Sequence, residues 1–172
     1  MITLVPRNAA IIVTALRAIR RRRALALLGT AAALTACGST GDLQCVPYAR
    51  QRSGIALHGD AATWWERAGG AGYARGHHPS PGAVLVFRRS PGVPGGHVAT
   101  VSAVASRREI RLDHANWAGA TGNKGRVSEG MPAIDVSPGN DWTAVRLADG
   151  TGPAGFGRPH PTYGFIYPDQ AR

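Results

Sequence analysis

Cysteine is scarce in this chain of 172 residues: Cys37 and Cys45 are the only two, too few for a stapled scaffold that substitutes disulfides for a core. Acid is scarce as well, with 10 Asp and Glu against 20 Lys and Arg and a formal charge of +10. That total overstates the basic character. Residues 1–37 hold six arginines and no acid, which leaves +4 for the remainder. A mild bias of this kind suits an anionic polymer, but it lacks the Lys/Arg stripe with interleaved aromatics that a nucleic-acid groove requires. Metal-ligand spacing is missing too. His58, His77 and His78 lie in Gly/Pro-rich sequence with no Cys/His quartet and no His-Glu-x-x-His pattern, so neither a metal nor another cofactor is expected. Gly69-Gly70-Ala71-Gly72 lacks the strand-to-helix setting and Lys-Ser/Thr ending of a phosphate loop. No internal repeat is visible.

Long apolar runs are also absent. The clearest, residues 24–36, has thirteen residues, which at about 1.5 Å each fall short of a hydrocarbon core of ~30 Å. It follows the basic block Arg20-Arg21-Arg22-Arg23, is apolar all round and ends in small residues, the pattern of an export signal. Leu34-Thr35-Ala36-Cys37 resembles the lipobox of bacterial lipoproteins. That resemblance implies a signal over residues 1–37, acylation of Cys37 and a lipid anchor in the cell envelope. Ordinary cleavage near Ala36, with secretion, is the alternative.

Residues 38–42 read as a polar tether. Cys45 opens a helix running to Arg52, because Pro47 is tolerated in a first turn where its missing N–H has no helical partner. A second short helix is expected over residues 60–68, between Asp60 and the Gly69-Gly70 stop. The period then changes to that of strands at residues 83–87, 97–104 and 109–116, with further strands at 142–147 and 163–167. Helices followed by strands indicate an α+β domain over residues 43–150, followed by a Gly/Pro-rich extension over 151–172 that ends in a final strand. One compact domain, expected to be monomeric, accounts for this length.

If Cys37 is lipidated, Cys45 is left as an unpaired exported thiol; a Cys37–Cys45 disulfide and an inert buried cysteine stay open at this point. A thiol at a helix N-terminus beside an imidazolium would have its pKa lowered, to roughly 3.5–7.5. His97 stands at the mouth of a strand behind Gly95-Gly96, where a substrate backbone has room to approach.

Cys45-Val46-Pro47-Tyr48-Ala49-Arg50, Pro81-Gly82-Ala83-Val84-Leu85-Val86-Phe87, Gly96-His97-Val98-Ala99-Thr100-Val101 and His114-Ala115-Asn116-Trp117 resemble, in order, the motifs of the CHAP family, over about residues 43 to 147. The resemblance implies a papain-like core, with a nucleophile-bearing helix packed on a small antiparallel β-sheet. It further implies a cysteine amidase or endopeptidase that hydrolyses peptidoglycan peptides through a thioester. Carried onto this chain, Cys45 is the nucleophile, His97 its base and Asn116 the group that orients the imidazole. Many CHAP enzymes have glutamate where this chain has His114. Period-two alternation puts His114 on the strand face of Asn116, and so near the site, with Asp113 opposite. Gln44 is a candidate oxyanion donor together with the Cys45 N–H. Tyr48, Trp64, Trp65, Gly96 and Trp117 are candidates to line the substrate cleft, although one tryptophan of the Trp64-Trp65 pair is expected in the core. Acyl transfer to an amine would use the same residues. The rival from another class is a non-catalytic lipoprotein that binds wall peptide or a protein partner.

Overall fold

The computed structural model describes residues 44–117 and 124–168. The expected signal, the lipobox with Cys37 and the whole tether over residues 38–42 lie outside the described residues.

Helix α1 (Cys45–Ser53) starts on an extended Gln44 and stops at Gly54, whose φ of 75° is left-handed and whose N–H donates to the Arg50 carbonyl at 2.9 Å. A residue with no Cβ takes that conformation without strain, and this terminates the helix. Pro47, third in the helix, has no N–H to leave unpaired. Tyr48 and Ala49 form the buried side of α1. A 3₁₀ turn (Ala61–Thr63) then leads into helix α2 (Trp64–Gly70), which buries Trp64 and Ala68 four residues apart on one face.

Seven strands follow: β1 (Arg75–Gly76), β2 (Val84–Phe87), β3 (His97–Ser106), β4 (Glu109–Ala115), β5 (Val127–Asp135), β6 (Ala144–Leu147) and β7 (His160–Ile166). They pair antiparallel in the order β1-β7-β2-β3-β4-β5-β6. The pairing does not stop at β6. Ala144 and Val145 also pair with Pro161 and His160 of β7, so the sheet closes into a barrel, with β1 beside the far end of β7. The domain is thus α+β as expected, but its sheet is larger than expected and closed. The segment read as a C-terminal extension carries β7, which is an integral stave of that barrel.

Alternation along the strands builds two cores. Leu85, Phe87, Ala99, Val101, Ile110, Leu112, Val145 and Phe165 point into the barrel, where Trp142 and Trp117 join them. Val84, Val86, Val98 and Ile166 point outward, under Ala49, Ile55, Leu57, Ala61, Trp64 and Ala68. β2 is therefore buried on both faces, which explains its uninterrupted apolar sequence. Full burial of each such side chain contributes roughly 1.5–3 kcal/mol.

Candidate functional site

The outer core seats α1 against β3 and β4. Arg52 of α1 pairs with Asp113 on the outer face of β4, whose other oxygen accepts the Gly130 N–H at 2.8 Å. Tyr48 Oη donates to Glu129 at 3.3 Å. Burial alone would raise the Asp113 pKa, but the Gly130 amide, Arg52 and Ser102 together hold it below the usual carboxylate range. These ties set the position of the first residue of α1, Cys45. Its partly exposed thiol lies near the backbone N–H groups of Val98, Val46 and Cys45 itself.

Cys45 and His97 line one cleft of about 840 Å³, with Gln44, Gly96, Asn116 and Trp117. Gly96 brings the chain to that wall at φ 68°, so close to the 3₁₀ turn that a Cβ there would sit 2.6 Å from the backbone nitrogen of Ala62. His97 opens β3 with its ring turned to the barrel interior, among Trp117 at 4.9 Å, His114 at 5.1 Å and Phe87 at 5.4 Å between centroids. Its Nε2 is 2.8 Å from His114 Nδ1, and His114 Nε2 is 3.3 Å from Met131 Sδ.

The sulfur settles the direction of this relay. A thioether accepts hydrogen bonds and donates none, so the His114 proton resides on Nε2 and Nδ1 is the acceptor. His97 must then donate from Nε2, which leaves its Nδ1 lone pair as the basic site. Burial, followed by the neighbouring His114 and His160, holds the His97 pKa well below the ordinary imidazole value. Burial likewise depresses His114, to about 4, with a small opposing effect of Asp113. Both rings are therefore neutral at pH 7. Burial also pushes the Cys45 thiol up, and its three N–H contacts offset only part of that rise. The lowered thiol pKa expected from the sequence is thus reversed: no imidazolium is present to stabilise a thiolate, and the resting pair is thiol and imidazole.

Asn116 lies in the cleft but does not follow the alternation of β4. The strand ends at Ala115, and Asn116 has a φ of 61°, a left-handed conformation that asparagine tolerates. Its amide is turned away from β4: Nδ2 donates to Gln44 Oε1 at 2.8 Å, and Oδ1 accepts from Gly125 N at 2.9 Å. Among the described residues, the hydrogen bond to His97 that was expected of Asn116 is made by His114 instead. Tyr48, Trp64 and Trp65 do not line the cleft. Tyr48 is buried under α1, Trp64 is fully buried between α2 and the barrel, and Trp65 stacks on Tyr163 at 5.8 Å. Large apolar rings gain more from the outer core than from an open cleft.

The CHAP domain profile matches residues 36–116, a segment that holds Cys45, His97, His114 and Asn116. The chain carries a CHAP domain over this segment. Members of the family are in general cysteine- and histidine-dependent amidohydrolases with a papain-like fold, acting on peptidoglycan and related substrates. No curated protein matches the chain significantly.

The CHAP match ends before β5–β7, and those strands bring residues the sequence reading did not single out. Asp149, Thr151, Arg158 and His160 line the same cleft. Trp117 Nε1 donates to Asp149 Oδ2 at 3.2 Å, which ties this part of the wall to the residue after Asn116. The one early signal was Trp117 itself, a ring with a donor that needs a buried acceptor.

Proposed function

We propose that this CHAP protein is an exported, envelope-anchored cysteine amidase or endopeptidase that hydrolyses amide bonds of peptidoglycan peptides. The observation that carries this reading is the shared cleft of Cys45 and His97, with the far nitrogen of His97 held by His114. As Cys45 Sγ attacks the amide carbonyl, its proton passes to His97 Nδ1 and the carbonyl π electrons move onto oxygen. The Cys45 N–H and Gln44 are the donors assigned to that oxyanion. Collapse breaks the C–N bond while His97 returns the proton to the departing amine, leaving a thioester. Water, giving a proton to His97, then attacks the thioester, and the acid leaves as sulfur regains the proton. In this scheme His114 orients His97 and Asn116 orients Gln44. Because the resting sulfur is a thiol, proton transfer accompanies attack and does not precede it. That resting state also suits the rival reading, a module that binds wall peptide without cleaving it.

Incubating purified peptidoglycan with the wild type and with Cys45→Ser separates the two readings. Mass spectrometry is expected to find newly freed peptide amines and carboxylates with the wild type alone. Identical fragment spectra from both proteins would leave only the binding module.

A further inference from the structure

The cleft extends beyond the cysteine and histidine to a wall built by the loop between β6 and β7. This loop is held in shape by its own backbone, with Gly157 N donating to Leu147 O at 2.8 Å, Gly150 N to Gly155 O at 2.9 Å and Gly155 N to Gly152 O at 3.0 Å. Asp149 braces it from within. One oxygen accepts from Thr151 N at 3.1 Å and from Thr151 Oγ1 at 2.6 Å, while the other holds Trp117. Asp60, the other acid on the cleft, is bonded to Arg89 at 2.8 Å. Both carboxylates are thus already engaged. The cations are not: Arg158 and Lys124 line the cleft, and among the described residues neither is in a salt bridge.

Arg158 is exposed, and its guanidinium reaches across the cleft wall to Gly92. A Cβ at Gly92 would fall 1.3 Å from Arg158 Nη2, so the tip of the guanidinium occupies the space that the missing side chain leaves open. Beside it, His160 is 5% exposed, and its Nδ1 has no hydrogen-bond partner. A buried ring nitrogen left unpaired costs on the order of 1–3 kcal/mol, and an incoming polar group would recover that. Trp117 at 5.0 Å and Phe87 at 6.2 Å hold the His160 ring edge-on.

Building on the reading of the cleft as a peptide site, we propose that this wall is a carboxylate-binding subsite. In it Arg158, supported by Lys124, reads a carboxylate of the bound peptide, and His160 Nδ1 bonds a neighbouring polar group. Substrates with a free carboxylate near the scissile bond are then preferred over their amidated forms. Burial and the adjacent Arg158 depress the His160 pKa, so the ring serves as a neutral partner and adds no charge of its own.

The test uses the Cys45→Ser protein, so that binding is read without turnover. Acetyl-Ala-Glu-Lys-Ala with free carboxylates and acetyl-Ala-Gln-Lys-Ala-amide are titrated by calorimetry at about 0.15 M salt. The acidic peptide is expected to bind at least about tenfold more tightly, the preference a charge-assisted bond supports. Adding Arg158→Gln should erase the preference, weakening the acidic peptide roughly tenfold more than the amide peptide. Gly92→Val, which evicts the guanidinium without removing it, should do the same. Equal affinities, no binding of either peptide at millimolar concentration, or an equal weakening of both by Arg158→Gln would each overturn the proposal. A carboxylate preference without fragment release from peptidoglycan leaves the subsite standing and removes the hydrolase; release without preference does the reverse.

Discussion

A methionine sulfur decides which nitrogen of His97 is basic. Met131 Sδ, 3.3 Å from His114 Nε2, acts two residues away from any reacting atom, through protons that only one arrangement of two neutral rings allows. Met131→Leu keeps most of the volume and removes the acceptor, so His114 loses its reason to prefer the Nε2 tautomer. Turnover is expected to fall roughly tenfold with KM unchanged, a fraction of the 10²–10⁴ a general base supplies. Nitrogen-15 spectra should show a single His114 tautomer in the wild type and a mixture in the variant. A wild-type His114 protonated on Nδ1 would refute the relay.

At the scale of elements, two adjacent glycines before β3 have different duties. Gly96 combines a φ of 68° with a Cβ direction blocked by Ala62, whereas a Cβ at Gly95 meets nothing within 4 Å. Gly96→Ala is expected to cost about 2 kcal/mol or more and to displace His97, abolishing hydrolysis. Gly95→Ala should be nearly neutral, and denaturant melts of the pair check the contrast. Equal losses in the two variants would contradict this reading. These elements also show what was legible in sequence. Helix α1 and strands β2 to β4 announced themselves through Pro47, the apolar run of β2 and the period of two. β5 did not, because Gly130 and Pro132 interrupt its alternation, and a proline inside a paired strand argues against a strand. Asn116 was placed by extending the period of β4 one residue past the point where the backbone turns left-handed, an event periodicity does not register. His114, expected from the same alternation to lie near the site, still belongs to the strand. Arg158 and His160 were invisible because a closed barrel, unlike an open sheet, brings the last strand back to the first helix's cleft.

For the molecule as a whole, three buried histidines shape the response to acid. His97, His114 and His160 all have folded pKa values below the ordinary one, through burial first. The unfolded chain then binds more protons than the folded one between pH 6.5 and about 4, so stability is complete above 6.5 and is lost as pH falls through that window. His114, with a folded value of about 4, accounts for about 3 kcal/mol of that loss. Urea melts at pH 7 and pH 4.5 should show the decline, and His114→Asn should lessen it. A flat profile across that interval would show that these rings do not stay neutral in the fold. Asp113 and Asp141, held low by hydrogen bonds, would act only at more acid pH, outside this window.

The closure between β6 and β7 has a consequence for how the molecule comes into being. Until residues 160–166 are in place, β2 and β6 both present bare edges, and the cleft lacks a side. Competence therefore arrives with the final stave. A chain cut short of it would carry thiol and imidazole yet have no finished groove to hold a peptide, and would be prone to cling to its own kind.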